Sequence, residues 1–101
     1  MAQKIRIGDV IEILTKRGLA YAQYTHEHKE PPRMGSLIRI LPGFYEKIPE
    51  NLDEIVEHMH TFQVFFPLQS AVNQGIVMIA GNVLVPKQYQ KFHPEILQAN
   101  I

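Results

Sequence analysis

The stretch KIRIGDVIEILTKRGLAYAQYTH, residues 4–26, decides how the rest of the chain is read. Ile5, Ile7 and then Val10 alternate with Lys4, Arg6 and Asp9, and Ile11, Glu12 and Ile13 carry the run on. Period-two alternation rich in β-branched residues predicts a strand from Lys4 onward, with Gly8-Asp9 as a bend or bulge inside it. Lys16-Arg17-Gly18 supplies a turn in which Gly18 is free to take positive φ. In Leu19–His26 the residues Tyr21, Gln23 and Thr25 fall on one face, and Ala20, Ala22 and Tyr24 on the other. Two strands joined by so short a loop pair antiparallel, so the fold starts from a hairpin.

Downstream, His26–Gly35 (HEHKEPPRMG) is polar, holds Pro31-Pro32 and reads as a loop. Ser36–Leu41 (SLIRIL) is a third strand, closed by Pro42-Gly43. Asn51 is placed to cap a helix, with Glu54 at the third position in capping-box register. Leu52, Ile55, Val56 and Met59 recur at helical spacing and predict one apolar stripe, while Asp53, Glu54 and Glu57 project elsewhere. Thr61–Phe66 reads as a fourth strand. Pro67 then opens a short helix at its first position, and Gly75 stops it. Ile76–Ala80 reads as a fifth, buried strand. Beyond it, Val83–Phe92 is helical or a packed loop around Tyr89 and Phe92, closed by His93-Pro94. The order β-β-β-α-β-α-β implies an α+β fold with one or two short helices on a bent antiparallel sheet, or on a partly open barrel of the SH3-like kind.

The chain is 101 residues long, enough for one core and too short for a cofactor domain beside a substrate domain. A single domain over residues 1–101 is expected. With no cysteine there is no disulfide, no thiolate nucleophile and no thiolate metal site. A hydrophobic fraction of 46% excludes a disordered composition, and no segment reaches membrane-spanning length. Such a chain is expected to be cytoplasmic, without a membrane partner.

Charge is balanced overall, 10 basic residues against 10 acidic, which argues against nucleic-acid binding through phosphates. It is nevertheless segregated. Residues 40–60 carry Glu46, Glu50, Asp53, Glu54 and Glu57 against Lys47 alone. Phe44 and Tyr45 lie just before this acidic run. Aromatic area beside carboxylates suits a partner with a basic surface, and the plain alternative is core packing beside a solvated helix.

Signs of reaction chemistry are weak. His26 and His28 share a strand face if the second strand extends that far, and could start a metal site only with a third ligand. Ser36 and Ser70 are the only serines, and neither sits in a nucleophile elbow. Asp53 and Glu57 share a helical face open to water, where carboxylates are not tuned for acid–base work. Phosphate-binding glycine motifs are absent. The expectation is therefore no enzyme, no cofactor and no metal. A groove lined by Tyr21, Tyr24 and Arg39, binding nucleic acid or peptide, is the alternative use of such a small barrel.

The opening GDVIEI, the aromatic LAYAQY and above all FFPLQSAVNQGIVMIAGNVLVP resemble the immunity protein 26 family, small bacterial proteins encoded beside polymorphic toxins. Phe66, Pro67, Leu68, Ala71, Gly75, Ile79, Gly81 and Pro86 carry the likeness. The resemblance implies a protein that binds and neutralises a cognate toxin by occlusion, with no catalytic residues. Phe44, Tyr45, Glu50, Asp53, Glu54 and Glu57 are then the candidate partner-binding residues. Neither the toxin's identity nor the oligomeric state follows from the residues.

Overall fold

The structure, a computed structural model, describes residues 3–28 and 35–90. Five antiparallel strands form one open sheet in the order β4-β3-β2-β1-β5, with β1 at Asp9–Thr15, β2 at Gly18–His28, β3 at Gly35–Ile40, β4 at Phe62–Phe66 and β5 at Met78–Asn82. Helix α1 (Leu52–Val56) lies between β3 and β4, and α2 (Leu68–Asn73) between β4 and β5. A single 3-10 turn spans Lys87–Tyr89. This is the expected α+β order of elements on a bent antiparallel sheet. The register shifts between Val10 and Ile11, and again between Tyr24 and His26. Such irregularities bend the strand and increase its local twist.

Strict alternation divides the apolar residues between two small cores, one on each face. Ile11, Ala22, Tyr24 and Ile38 pack against Leu68 and Ala71 of α2 and against Val77. Val10, Tyr21 and Leu41 pack against Ile55 and Val56 of α1. Burying a side chain such as Ile55 or Val56 contributes about 1.5–3 kcal/mol. A helix as short as α1 has no stability of its own, so this packing is what keeps it helical.

Several boundaries differ from the expectation, the larger ones for local reasons. The first strand begins at Asp9 rather than Lys4. Gly8 has φ +96°, the amide of Asp9 donates to the Arg6 carbonyl at 3.0 Å, and the Asp9 carboxylate takes the Arg6 amide at 2.8 Å. That tight turn breaks the extended run, and Ile5 instead joins the core under α2.

The second strand continues past His26 to His28, carried across the irregularity at Tyr24/His26. The fifth strand starts two residues late, at Met78. Gly75 and Ile76 are taken up in capping α2, their amides donating to the carbonyls of Val72 and Ala71 at 3.1 and 2.9 Å. Pro67 stands at the cap of α2 rather than at its first helical position.

The largest difference is at α1. Asn51 caps it as expected, accepting from the Glu54 amide at 3.3 Å, but the helix stops at Val56. Met59, placed in the apolar stripe by its spacing, is 75% exposed. The carbonyls that another turn would use are taken by Arg39, as described below. The tail after β5 is a packed loop around the 3-10 turn, with Val85 buried. Phe92, His93 and Pro94 lie outside the described residues.

Candidate functional site

The site is built around a buried cation. Arg39 projects from β3 onto the α1 face of the sheet and is 0% exposed. Its Nε donates to Gln23 Oε1 at 3.3 Å, its Nη1 to the His58 carbonyl at 3.1 Å, and its Nη2 to the Val56 carbonyl. Gln23 is equally buried, and its amide nitrogen donates to the Val83 carbonyl at 2.7 Å. The guanidinium fork thus satisfies the free carbonyls at the end of α1 and ties them to β2 and β3. The ring of Tyr89 closes over it, with Cζ 4.1 Å from the centroid. Burial pulls the Arg39 pKa down, and Tyr89 and Glu57 partly offset this.

His60 completes the cluster, edge-on to Tyr89 with centroids 5.2 Å apart. Its Nδ1 is a buried atom without a hydrogen-bond partner among the described residues. Burial lowers the imidazole's proton affinity, and Arg39 lowers it further by repulsion.

On its outer side, α1 is acidic. Glu50, Asp53, Glu54 and Glu57 are all exposed, and among the described residues no salt bridge joins any of them to a cation. Asp53 and Glu57 line one wall of a shallow groove whose other wall is the segment Asn82–Gln90, including Lys87. The positive charge that holds α1 in place is sealed beneath it. The outer side of α1 thus exposes a row of carboxylates, with Lys87 across the groove and Glu57 acting on the buried Arg39.

The candidate aromatics divide. Tyr45 packs edge-on against Tyr21 at 5.5 Å and belongs to the core beneath α1, which puts its loop and the helix on one face of the sheet. Phe44 is 47% exposed, but Arg17 stacks over its ring at 4.8 Å. Phe44 therefore offers an apolar contact with a cation beside it, not the wholly acidic setting that its sequence neighbours imply.

The groove expected from Tyr21, Tyr24 and Arg39 is not formed, because all three are buried. Tyr21 and Tyr24 point to opposite faces, their hydroxyls donating to Glu12 at 2.8 Å and Glu27 at 2.7 Å. Burial and Glu12 push the Tyr21 hydroxyl upward, and burial with Glu27 pushes Tyr24 up to about 12. Both phenols stay protonated at neutral pH and serve as fixed donors. Bases could stack on these rings only if the core opened.

The histidine pair resolves only in part. His26 Nε2 donates to the Gln90 carbonyl at 2.5 Å, and its Nδ1 lies 3.1 Å from Thr25 Oγ1. The side chain of His28 lies outside the described residues. Among the described residues no three histidines, aspartates or glutamates converge as a metal site. Ser36 is buried and donates to Glu27 at 2.8 Å, while Ser70 on α2 accepts from Gln74 at 3.0 Å. The Ser36 hydroxyl has the Glu27 carboxylate beside it but is buried, the Ser70 hydroxyl meets the amide donor of Gln74, and neither is arranged as a nucleophile–base–orienter triad. No helix among the described residues is long and apolar enough to cross a membrane.

Arg39 is the residue at the centre of this cluster, and its buried place was missed by the sequence reading. In SLIRIL it shares a face with Leu37 and Leu41, and a charge flanked by two apolar neighbours on one face is the mark of a buried cation. No protein-family model, curated protein or solved structure matches this chain.

Proposed function

We propose that this chain is an immunity-type protein that binds a cognate bacterial toxin and neutralises it by occlusion, with no chemistry of its own. The observation that carries the proposal is the exposed row Glu50, Asp53, Glu54 and Glu57, unpaired among the described residues, on a helix fixed from below by Arg39. Preorganised carboxylates steer a basic partner into place and lose little freedom on docking. Phe44 supplies apolar contact area beside that loop. The resemblance in FFPLQSAVNQGIVMIAGNVLVP gives the partner its class. A tight inhibitory complex buries about 1,200–2,000 Å² in total, a large share of so small a surface, so contacts extend beyond α1.

The test uses the protein encoded next to this chain as the partner. Association rates are measured at low and high salt for the natural chain and for the triple variant Asp53→Lys, Glu54→Lys, Glu57→Lys. Slower association and a flatter salt dependence are expected for the variant. An unchanged rate at low salt removes the acidic helix from the mechanism.

A further inference from the structure

His60 stands where a proton would disturb the cover over Arg39. Its ring lies edge-on to Tyr89, with centroids 5.2 Å apart, and Tyr89 in turn lies over the Arg39 guanidinium, 4.1 Å from Cζ. His60 Nδ1 is buried and has no hydrogen-bond partner among the described residues. A neutral imidazole meets this with its proton on Nε2. The imidazolium carries N–H on both nitrogens, and the one at Nδ1 is then buried without an acceptor.

The charges around the ring offer that proton no relief. β3 brings Arg39, the 3-10 turn brings Lys87 and Tyr89, and the end of α1 brings Glu57 and His58. β4, which follows His60, has no titratable side chain (FQVFF). Glu57 acts on Arg39, whereas Arg39 acts on His60, by repulsion. Among the described residues no carboxylate forms a salt bridge with His60.

We propose that His60 is an acid-sensitive latch, whose protonation lifts Tyr89 and the 3-10 turn away from Arg39 while the sheet stays folded. The attachments of the turn suit a local movement. The backbone amides of Tyr89 and Gln90 donate within the turn, to the carbonyls of Pro86 and Lys87 at 2.9 and 3.2 Å. The chain is anchored on either side instead: the Val83 carbonyl accepts from Gln23 at 2.7 Å, and the Gln90 carbonyl from His26 Nε2 at 2.5 Å. An imidazole that donates through Nε2 does so whether neutral or protonated, so acid spares the second anchor. Burial and Arg39 hold the His60 pKa below its ordinary 6.5 in the closed state. The open state therefore takes the proton first and gains population as the pH falls below that value. The movement carries Lys87 away from Asp53 and Glu57 across the groove, whatever the acidic face binds.

Solvent exchange of the Arg39 Nε–H, which donates to Gln23 Oε1 beneath Tyr89, reads the cover directly by heteronuclear NMR of the full chain. Its protection relative to free arginine is expected to fall about threefold or more between pH 7.5 and pH 5.5, while the amides of β1 and β2 keep theirs. In His60→Gln the Arg39 protection is expected to stay level over that range, and His60→Phe replaces that variant if it does not fold. Unchanged protection in the natural chain overturns the proposal. An equal fall in a folded His60 variant overturns it as well, by assigning the change to other groups. So does a fall shared by the amides of β1 and β2, which makes the change global unfolding.

Discussion

The ring of Tyr89 covers the guanidinium of Arg39, its centroid 4.1 Å from Cζ, so that a residue near the end of the described chain seals the cation that holds α1 to the sheet. The contact links three parts of the sequence: β3, the end of α1, and the 3-10 turn. An acidic helix of five residues would otherwise have the packing of Leu52, Ile55 and Val56 to hold it.

Removing the cation should loosen that helix. Arg39→Ala leaves the carbonyls of Val56 and His58 and the Gln23 oxygen without their donor, at an expected cost of about 2–4 kcal/mol in a urea titration. Arg39→Lys should recover little of it, because an ammonium cannot reproduce the planar fork. A lysine variant as stable as the natural chain would show that the fork is not what matters.

The aromatic cover should be coupled to the cation. Tyr89→Leu is expected to destabilise the chain, and a double-mutant cycle with Arg39→Met should give a coupling of about 0.5–2 kcal/mol. Additive losses would mean that Tyr89 contributes apolar area alone.

Acid should weaken the same cluster. Burial and Arg39 hold the folded-state pKa of His60 below its ordinary 6.5, so the unfolded chain binds the proton first. The stability His60 contributes is complete above about pH 6.5 and is lost as pH falls from there toward the folded value. Urea midpoints followed from pH 7.5 to pH 5 should decline, and His60→Gln should flatten that decline. An equal decline in the variant assigns it to other groups.

The hairpin depends on one glycine. Gly18 has φ +125°, and a Cβ there would lie 2.9 Å from the Tyr45 carbonyl oxygen, whose hydrogen bond from the Leu19 amide fixes the loop before α1. Gly18→Ala is expected to cost about 1–3 kcal/mol by thermal or urea unfolding. A neutral substitution would mean that the loop yields freely.

The hairpin, the third strand and the order of elements were legible because alternation and turn residues act locally. Val10 and Ile11 do fall into separate cores, and Thr15 pairs with Gly18 across the turn. The length of α1 was not legible. Met59 fits the helical spacing, but the helix ends where a side chain 17 residues earlier in the sequence takes the Val56 carbonyl. Tyr21, Tyr24 and Arg39 misled for a related reason. Strands buried on both faces leave no wet side, so polar and aromatic residues that elsewhere mark a groove were core here. The acidic residues of α1 were placed correctly on an exposed surface, because nothing long-range competes for them.

Toxin neutralisation is tested most directly by co-expression. The polypeptide encoded beside this chain is induced in a bacterial host with the natural chain, with the triple lysine variant of α1, or alone. Growth arrest without the chain, rescue by the natural chain and failure of rescue by the folded variant are expected. A neighbouring polypeptide that kills the host equally in the presence of the natural chain contradicts the proposed role.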